Sequence, residues 1–493
     1  MPVIPIGGSF YKSDSLPIAA QECSNLYLNI PETTATTTRS LFATPGIELA
    51  VTAGTSAQFN RGSHTFLGVP YFVQGEDLYR IDRTVVSSVA TYTAVRVNAL
   101  VPLPGTERVI IADNGPSGAA GGQMCIVLPD AVSGNNAYLY DITNALVQVA
   151  DADFDGPVSS VRFVDGYFLF TKTDGQTFFI SDLRDGTLYN ALDFATAEAD
   201  PDNIVSAFIL HNEVFIFGQQ TIQPFQNSGG AGFPFTSVQG GIQRKGLKSI
   251  YAVDEVNDYM VFLGGAIAET PAIWVTDGGR PDKLSTTAID NELSRYSDTT
   301  ISSCFTWKYS QAGSQFIAFT FPNEACFVYD FTAKEWHTRE SADDDGNILP
   351  CRISSIVDVY GVLMIGDTIS NKIGVLDRDT YTEFSNYIPR RFVTPQLDNE
   401  GQPFVVDALE LVCETGTGAS TGQGSDPTIN LSYSTNGGRS FNNQMPRSTG
   451  ALGEYDQRVI WSSLGRVNRE VCFKFEASDP VKWVFLKVEA IID

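Results

Sequence analysis

Phe316-Ile317-Ala318-Phe319, the turn Pro322-Asn323-Glu324, Cys326-Phe327-Val328-Tyr329, and a polar turn running from Asp330 to Trp336 form the phrase on which the fold depends. A short aromatic and β-branched run, a turn and a second such run read as two adjacent antiparallel strands, because those side chains suit a pleated, half-buried surface. Trp336 then begins a third strand.

The same phrase returns along the chain. Tyr71-Phe72-Val73 is answered by Leu78-Tyr79-Arg80-Ile81, and Val109-Ile110-Ile111 by Cys125-Ile126-Val127. Tyr167-Phe168-Leu169-Phe170 leads to Phe178-Phe179-Ile180, and Val214-Phe215-Ile216-Phe217 to Ile222-Gln223-Pro224-Phe225. Tyr259-Met260-Val261-Phe262 precedes Ile273-Trp274-Val275, and Val362-Leu363-Met364-Ile365 precedes Ile373-Gly374-Val375-Leu376. Starts spaced by roughly 40 to 60 residues lie in or just beyond the range of propeller-blade repeats. Small four-stranded sheets cannot bury both faces alone, whereas blades packed radially cover one another and leave only short edges. The reading is an all-β chain carrying a β-propeller of six or seven blades; the competing architecture is a pair of β-sandwiches.

The flanks differ. Residues 1–50 read as an N-terminal arm with one or two short strands and a Thr-rich loop at 33–38, which must pair elsewhere because an isolated hairpin is marginal in water. Either closing the propeller ring or joining the C-terminal domain would satisfy it. The propeller is placed at 51–384, with Asn386-Tyr387-Ile388-Pro389-Arg390-Arg391 as the boundary. Residues 385–493 hold five or six strand candidates, Phe404–Glu410, Thr428–Tyr433, Arg458–Ser462, Val471–Phe475 and Lys482–Ile492 among them, enough for a C-terminal β-sandwich or barrel.

Composition narrows function. The 57 Asp and Glu against 32 Lys and Arg give a formal charge of −25, which opposes any mode of DNA binding that relies on neutralising phosphates. The seven cysteines are scattered, odd in number and without a C-x-x-C pair, so they suggest neither a zinc site nor a disulfide framework, and synthesis in a reducing compartment. The start lacks the charged and apolar segments of a signal peptide. No apolar run approaches the roughly 18 residues that span a bilayer.

No cofactor, metal or catalytic constellation is expected. Asp151-Ala152-Asp153-Phe154-Asp155-Gly156 opens like a calcium loop, but Arg162 stands where a bidentate Glu is wanted; an acidic solvated loop is the simpler reading. Asp343-Asp344-Asp345-Gly346 reads as a solvated turn. His64, His211 and His337 fall in different repeats, and there is no G-x-S-x-G, P-loop or H-E-x-x-H. Carboxylates to spare keep a glycosidase open. Ser434-Thr435-Asn436-Gly437-Gly438-Arg439-Ser440-Phe441 resembles the Asp-box hairpin of sialidases, with Asn for Asp, but it is a turn device and occurs once, outside the repeats.

Three further stretches carry a resemblance. They are Phe194-Ala195-Thr196-Ala197-Glu198-Ala199-Asp200-Pro201-Asp202-Asn203-Ile204; the run from Phe217-Gly218 through Thr221-Ile222, Asn227-Ser228-Gly229-Gly230 and Pro234-Phe235 to Gly240-Gly241-Ile242-Gln243-Arg244-Lys245-Gly246; and Tyr455-Asp456-Gln457-Arg458-Val459-Ile460-Trp461 with Leu464-Gly465-Arg466 and Ser478-Asp479-Pro480-Val481-Lys482. With Asn25-Leu26-Tyr27 and Thr44-Pro45-Gly46, their order and spacing resemble the tail hub, or nozzle, proteins of short-tailed phages, also called packaged-DNA stabilisation proteins, as in phage P22. Gln219-Gln220 depart from the family, which tends to carry charged residues there.

The resemblance implies a structural virion protein without enzymatic activity: a homohexamer below the portal and its tail adaptor, or head-to-tail connector, that extends the DNA channel, retains packaged DNA and conducts it at ejection. Implied partners are copies of itself, the adaptor, a tail fibre or spike protein and a plug or needle protein. Double-stranded DNA would pass without sequence-specific binding, and the host envelope would be met only during infection. Implied localisation is the virion tail after assembly in the host cytoplasm. The alternative is a propeller adhesin or depolymerase acting on a host-surface glycan. A lumen crossed by DNA favours carboxylates over cations, so part of the acidic excess is expected there. Candidate interface residues are Arg458, Trp461 and Arg466, because Trp and Arg dominate interface hot spots, together with Asn227, Gly229 and Gly230 of the loop that ends at Pro234. Loops such as 341–347 are candidate fibre receivers.

Overall fold

Six of the seven apolar phrases each form the second and third strands of one antiparallel sheet; in the remaining one Ile110-Ile111 and Cys125-Ile126-Val127 fall on the first and second strands. In the phrase that opens the argument, Ser314–Phe321 pairs with Ala325–Asp330, which pairs with Glu335–Thr338 containing Trp336. A computed structural model describes residues 3–98, 100–129, 134–198, 201–230, 232–343 and 345–492. Almost all of its regular structure is strand; among the described residues the exceptions are two short α-helices at Thr287–Leu293 and Asp298–Ser302 and a 3₁₀ turn at Ala119–Gly121.

Seven such sheets follow one another. Their first strands, Asn60–Phe66, Ile110–Asp113, Val158–Val164, Ile204–Leu210, Val253–Val256, Phe305–Gln311 and Ile353–Val359, each contact the next, and the last contacts the first. The ring is therefore closed, as in a β-propeller. Four of these strands bulge at a matching place, between Asn60 and Gly62, Val158 and Ser160, Ile204 and Ser206, and Ile353 and Ser355. A bulge sharpens local twist and turns a side chain aside. Small residues suit the crowded axis, and their hydroxyls join neighbouring sheets: Ser63 Oγ donates to Ser355 Oγ at 2.7 Å, and the Ala207 N–H donates to Ser160 Oγ at 3.2 Å.

Between blades the core is aromatic. Phe178 of blade three meets Phe225 of blade four at 4.8 Å between ring centroids, and Phe217 of blade four meets Phe262 of blade five at 5.2 Å, both edge to face. The acidic stretch 151–156 belongs to this packing: Phe154 sits edge-on against Phe170, Phe179 and Tyr189, while Asp155 pairs with Lys172 at 2.6 Å. Asp343 accepts hydrogen bonds from Asn347; Asp344 lies outside the described residues. All seven cysteines are buried and none is in a disulfide.

The arm's strands divide between the two β regions. Gly46–Thr52 pairs antiparallel with Lys372–Asp377 and supplies the fourth strand of the last blade. Leu26–Asn29 and Ser40–Ala43 instead extend a sheet containing Val459–Val467, Phe404–Cys413 and Val484–Ile492. Facing it is a sheet of Arg390–Val393, Glu470–Ala477, Thr428–Ser434 and Met445–Ser448. Between them lie Trp461, Trp483, Phe392, Phe475 and Phe485, with Phe392 stacked on Phe475 at 4.8 Å. The second sheet continues through Cys23–Ser24 to Glu335–Thr338, so sandwich and blade six share one hydrogen-bonded sheet.

Candidate functional site

The candidate contacts on Val459–Val467 separate by burial. Strand alternation sends Trp461 inward, where it is 1% exposed, donates from Nε1 to Met445 O at 2.8 Å and meets the Phe475 ring at 5.8 Å. Trp461 is thus a core residue of the sandwich, and the expectation that it anchors a partner is corrected. Arg458 is exposed and forms a two-pronged pair with Glu410, Nε to Oε1 at 2.8 Å and Nη2 to Oε2 at 2.5 Å. Hydrogen bonding from this guanidinium holds the Glu410 carboxyl below its usual range. Arg466 is exposed opposite Val405 and makes no ion pair among the described residues.

The loop after Ile222–Asn227 closes on itself. Asn227 Oδ1 accepts the Gly229 N–H at 2.9 Å, and the Ser228 N–H donates to Pro234 O at 2.8 Å. Asn227 Nδ2 also donates to Asp165 Oδ2 at 2.9 Å, while Asn212 Nδ2 donates to Oδ1 at 2.8 Å. The Asp165 carboxylate thereby ties blade three to blade four. Gly229 and Gly230 remain exposed.

The first two resembling stretches meet in space. The buried Asp202 carboxylate accepts from the N–H groups of Gln219, Gln220 and Thr221 at 2.9, 2.8 and 3.0 Å, and from Thr221 Oγ1 at 3.2 Å. Gly246, at the end of the second stretch, lies on the same turn: a Cβ there would stand 2.0 Å from Gln219 C and 2.1 Å from Gln220 N. Both are backbone atoms, so the turn and not a rotamer would have to move. Gly246→Ala is expected to cost about 2 kcal/mol or more by overpacking, read as a lowered midpoint in chemical denaturation; an unchanged midpoint contradicts this clasp.

Reasoning from sequence missed the joint between the two β regions. The segment read as a boundary is deeply buried there, with Ile388 and Arg390 at 0% and 1% exposure. Asn25, in the left-handed region at φ 54°, donates from Nδ2 to Glu340 O at 2.8 Å and Pro389 O at 2.6 Å, and its Oδ1 accepts from the Glu340 N–H at 3.1 Å. Thr44 N–H donates to Asn25 O at 3.0 Å, and a Cβ on Gly46 would lie 2.4 Å from Thr380 O. These contacts give Asn25-Leu26-Tyr27 and Thr44-Pro45-Gly46 a structural cause. Arg391 bridges Glu22 and Glu340, each at 2.7 Å. Burial works to raise the Glu22 carboxyl, but the Lys12 and Arg391 charges prevail and hold it low. Arg339 donates to Glu383 Oε1 at 3.2 Å and Pro45 O at 3.1 Å, with both ionic side chains fully buried. Nothing in local sequence pattern distinguishes these charges from surface ones.

The histidines form no common site. His64 Nε2 lies 2.6 Å from Asp113 Oδ2, His211 occupies an exposed turn, and burial pushes His337 down to about 3. Among the described residues, no group of three or more His, Cys, Asp or Glu side chains is arranged to hold a metal ion.

Known proteins match this chain over nearly its whole length. The family model described as the β-propeller of bacteriophage P22 Gp10 matches residues 4–381, and that described as its β-sandwich matches residues 389–493. The tail hub protein gp10 of Salmonella phage P22 is 23% identical over 364 residues, covering 68% of this chain and 72% of that protein. Among solved structures, the computationally designed protein Ika8 is aligned at 11% identity and a TM-score of 0.37, over 67% of this chain and 99% of that one. PorZ of the type-IX secretion system of Porphyromonas gingivalis is aligned at 9% identity and a TM-score of 0.40, over 67% of this chain and 38% of that one.

Proposed function

The chain belongs to the bacteriophage P22 Gp10 family and is a structural, non-enzymatic hub protein of a phage tail; from that premise we propose that six copies form a ring beneath the tail adaptor, extending the DNA channel and retaining the packaged genome until ejection. The observation that carries this reading is the pair of family matches running from residue 4 to residue 493 with seven unmatched residues between them, 382–388. The glycan-binding or depolymerase alternative is not favoured, since the family's role is structural.

The fold supports such a role physically. A sheet running unbroken from blade six into the sandwich, locked by Asn25 and Arg391, joins the two regions without a flexible linker. A body of that kind can hold its shape while DNA under pressure is retained. On this reading the working division is 1–50 arm, 51–384 propeller and 385–493 sandwich, with the arm serving both. Arg466, the Arg458–Glu410 pair and the exposed turn at Asn227, Gly229 and Gly230 are the proposed contacts to neighbouring subunits, the adaptor or a fibre or spike. The ring assembles in the host cytoplasm, and part of the −25 charge lines its lumen.

The test is a phage carrying a deletion of this gene. Heads are expected to fill but to lose DNA to added nuclease, and the purified protein is expected to restore protection and infectivity. Mutant heads that keep their DNA and infect normally overturn the reading.

A further inference from the structure

At the propeller axis the first strands and the segments before them line an open cavity of about 360 Å³, with His64, Arg108, Arg162, Asp254 and Lys308 among its walls. Its charges do not balance. Lys308 Nζ pairs with Asp254 Oδ1 at 2.9 Å, and His64 is held by Asp113 at 2.6 Å. Among the described residues, no carboxylate lies within ion-pair distance of Arg108 or Arg162, and the Asp254 carboxylate that pairs with Lys308 acts on Arg162 only from farther off. Arg108 donates from Nη1 and Nη2 to the neutral Ser354, at Oγ and O, at 2.9 and 2.7 Å, and lies over the Phe305 ring at 3.8 Å. Arg162 donates from Nη1 to Val161 O at 3.0 Å and lies 5.6 Å from the centre of the Phe208 ring, while its buried Nε has no hydrogen-bond partner. Each guanidinium carries five N–H donors in a planar fork, so most of these donors have no protein acceptor.

Arg108 and Arg162 are half-buried, and withdrawing a cation from water is unfavourable to the extent that no opposite charge or hydrogen bonding compensates it. Here two cations share one cavity, in a protein whose other charges are predominantly negative. Burial pushes both guanidiniums down to about 10, so both remain protonated at neutral pH. Aromatic rings cover a face of each without accepting from its N–H fork.

We propose that the axial cavity is a binding site for a small oxyanion of phosphate or dicarboxylate chemistry, held between Arg108 and Arg162. Charge-assisted, bidentate hydrogen bonds of this kind are the natural match for such a ligand. The bound anion supplies the missing negative charge at the point where the seven blades converge and so stabilises the ring of blades. The proposal is independent of the tail-hub reading.

The test uses the full chain, titrated separately with inorganic phosphate and with malonate against chloride at matched ionic strength and pH, by calorimetry and by melting. Saturable binding with a rise in melting temperature is expected for at least one of the two, and which one responds identifies the source of the oxyanion. Arg162→Gln is expected to weaken that binding about tenfold or more, the worth of a hydrogen bond to a charged group. Should that variant not fold, the unmodified chain crystallised with selenate, or with bromomalonate where malonate is the anion that binds, decides, through an anomalous peak between Arg108 and Arg162. Equal responses in the native chain and the variant, no saturable binding to either anion, or no such peak overturns the proposal.

Discussion

A chain that begins at Ala53 is expected to be recovered only as aggregate, because its missing residues belong to both β regions at once. Gly46–Thr52 is the fourth strand of the last blade, and without it Lys372–Asp377 presents an unpaired edge, a template for association with other chains. The same deletion removes Leu26–Asn29 and Ser40–Ala43 from the sandwich sheet. Leu26, Tyr27, Leu28, Leu41 and Ile47 are all buried, at 0%, 6%, 3%, 0% and 1% exposure. At about 1.5–3 kcal/mol for each fully buried side chain, their loss approaches about 10 kcal/mol, comparable with the whole stability of a typical domain. Size-exclusion chromatography and circular dichroism check the result. A monodisperse, cooperatively melting chain from Ala53 onward contradicts it.

The second large effect comes from a single carboxylate. Asp367 is fully buried and holds Arg352, itself 2% exposed at its side chain, through Nη2 to Oδ2 at 2.5 Å and Nε to Oδ1 at 3.1 Å. The Ile369 N–H also donates to Asp367, as does the Ser370 hydroxyl. Asp367→Ala strands the guanidinium beneath the Phe384 ring, 4.8 Å away, with its counter-charge gone. Breaking one half of a buried pair costs about 3–5 kcal/mol, whereas replacing both halves with apolar residues of similar volume is often close to neutral. The expected order in urea midpoints is therefore wild type, then Arg352→Met with Asp367→Leu, then Asp367→Ala far below. A single variant as stable as the native chain rules out this account of the buried ion pair in blade seven.

What was legible in the sequence follows from where apolar side chains are needed. The second and third strands of each blade are covered on both faces by neighbouring blades, so they carry continuous apolar runs such as Phe316–Phe319 and Phe168–Phe170, and these gave the repeat. Apart from the one holding Ile110-Ile111, the first strands escaped notice because the crowded axis selects Gly62, Ser63, Ser159, Ser160, Ser206, Ser354 and Ser355. The C-terminal strands were visible through alternation, and Phe404, Thr428, Val471 and Ile492 fall in strands close to those expected.

Side-chain facing was less legible. Trp461 in a lone strand has two faces, and only the opposing sheet with Phe475 decides which is buried. The joint was hidden for a related reason. Asn25 lies 315 residues from Glu340 and 364 from Pro389, and Arg391 lies 51 from Glu340, so their hydrogen bonds leave no local pattern. The arm's two uses could be framed as alternatives, but the chain realises both, with the change from one to the other at Thr44-Pro45-Gly46.

The central claim, a ring-forming tail hub, is tested most directly by the mass and symmetry of the purified chain, alone and mixed with virions stripped of their tails, using native mass spectrometry and electron microscopy. The account predicts a sixfold ring, or capture of six copies at the stripped vertex. A persistent monomer or trimer that ignores the stripped virions would contradict it.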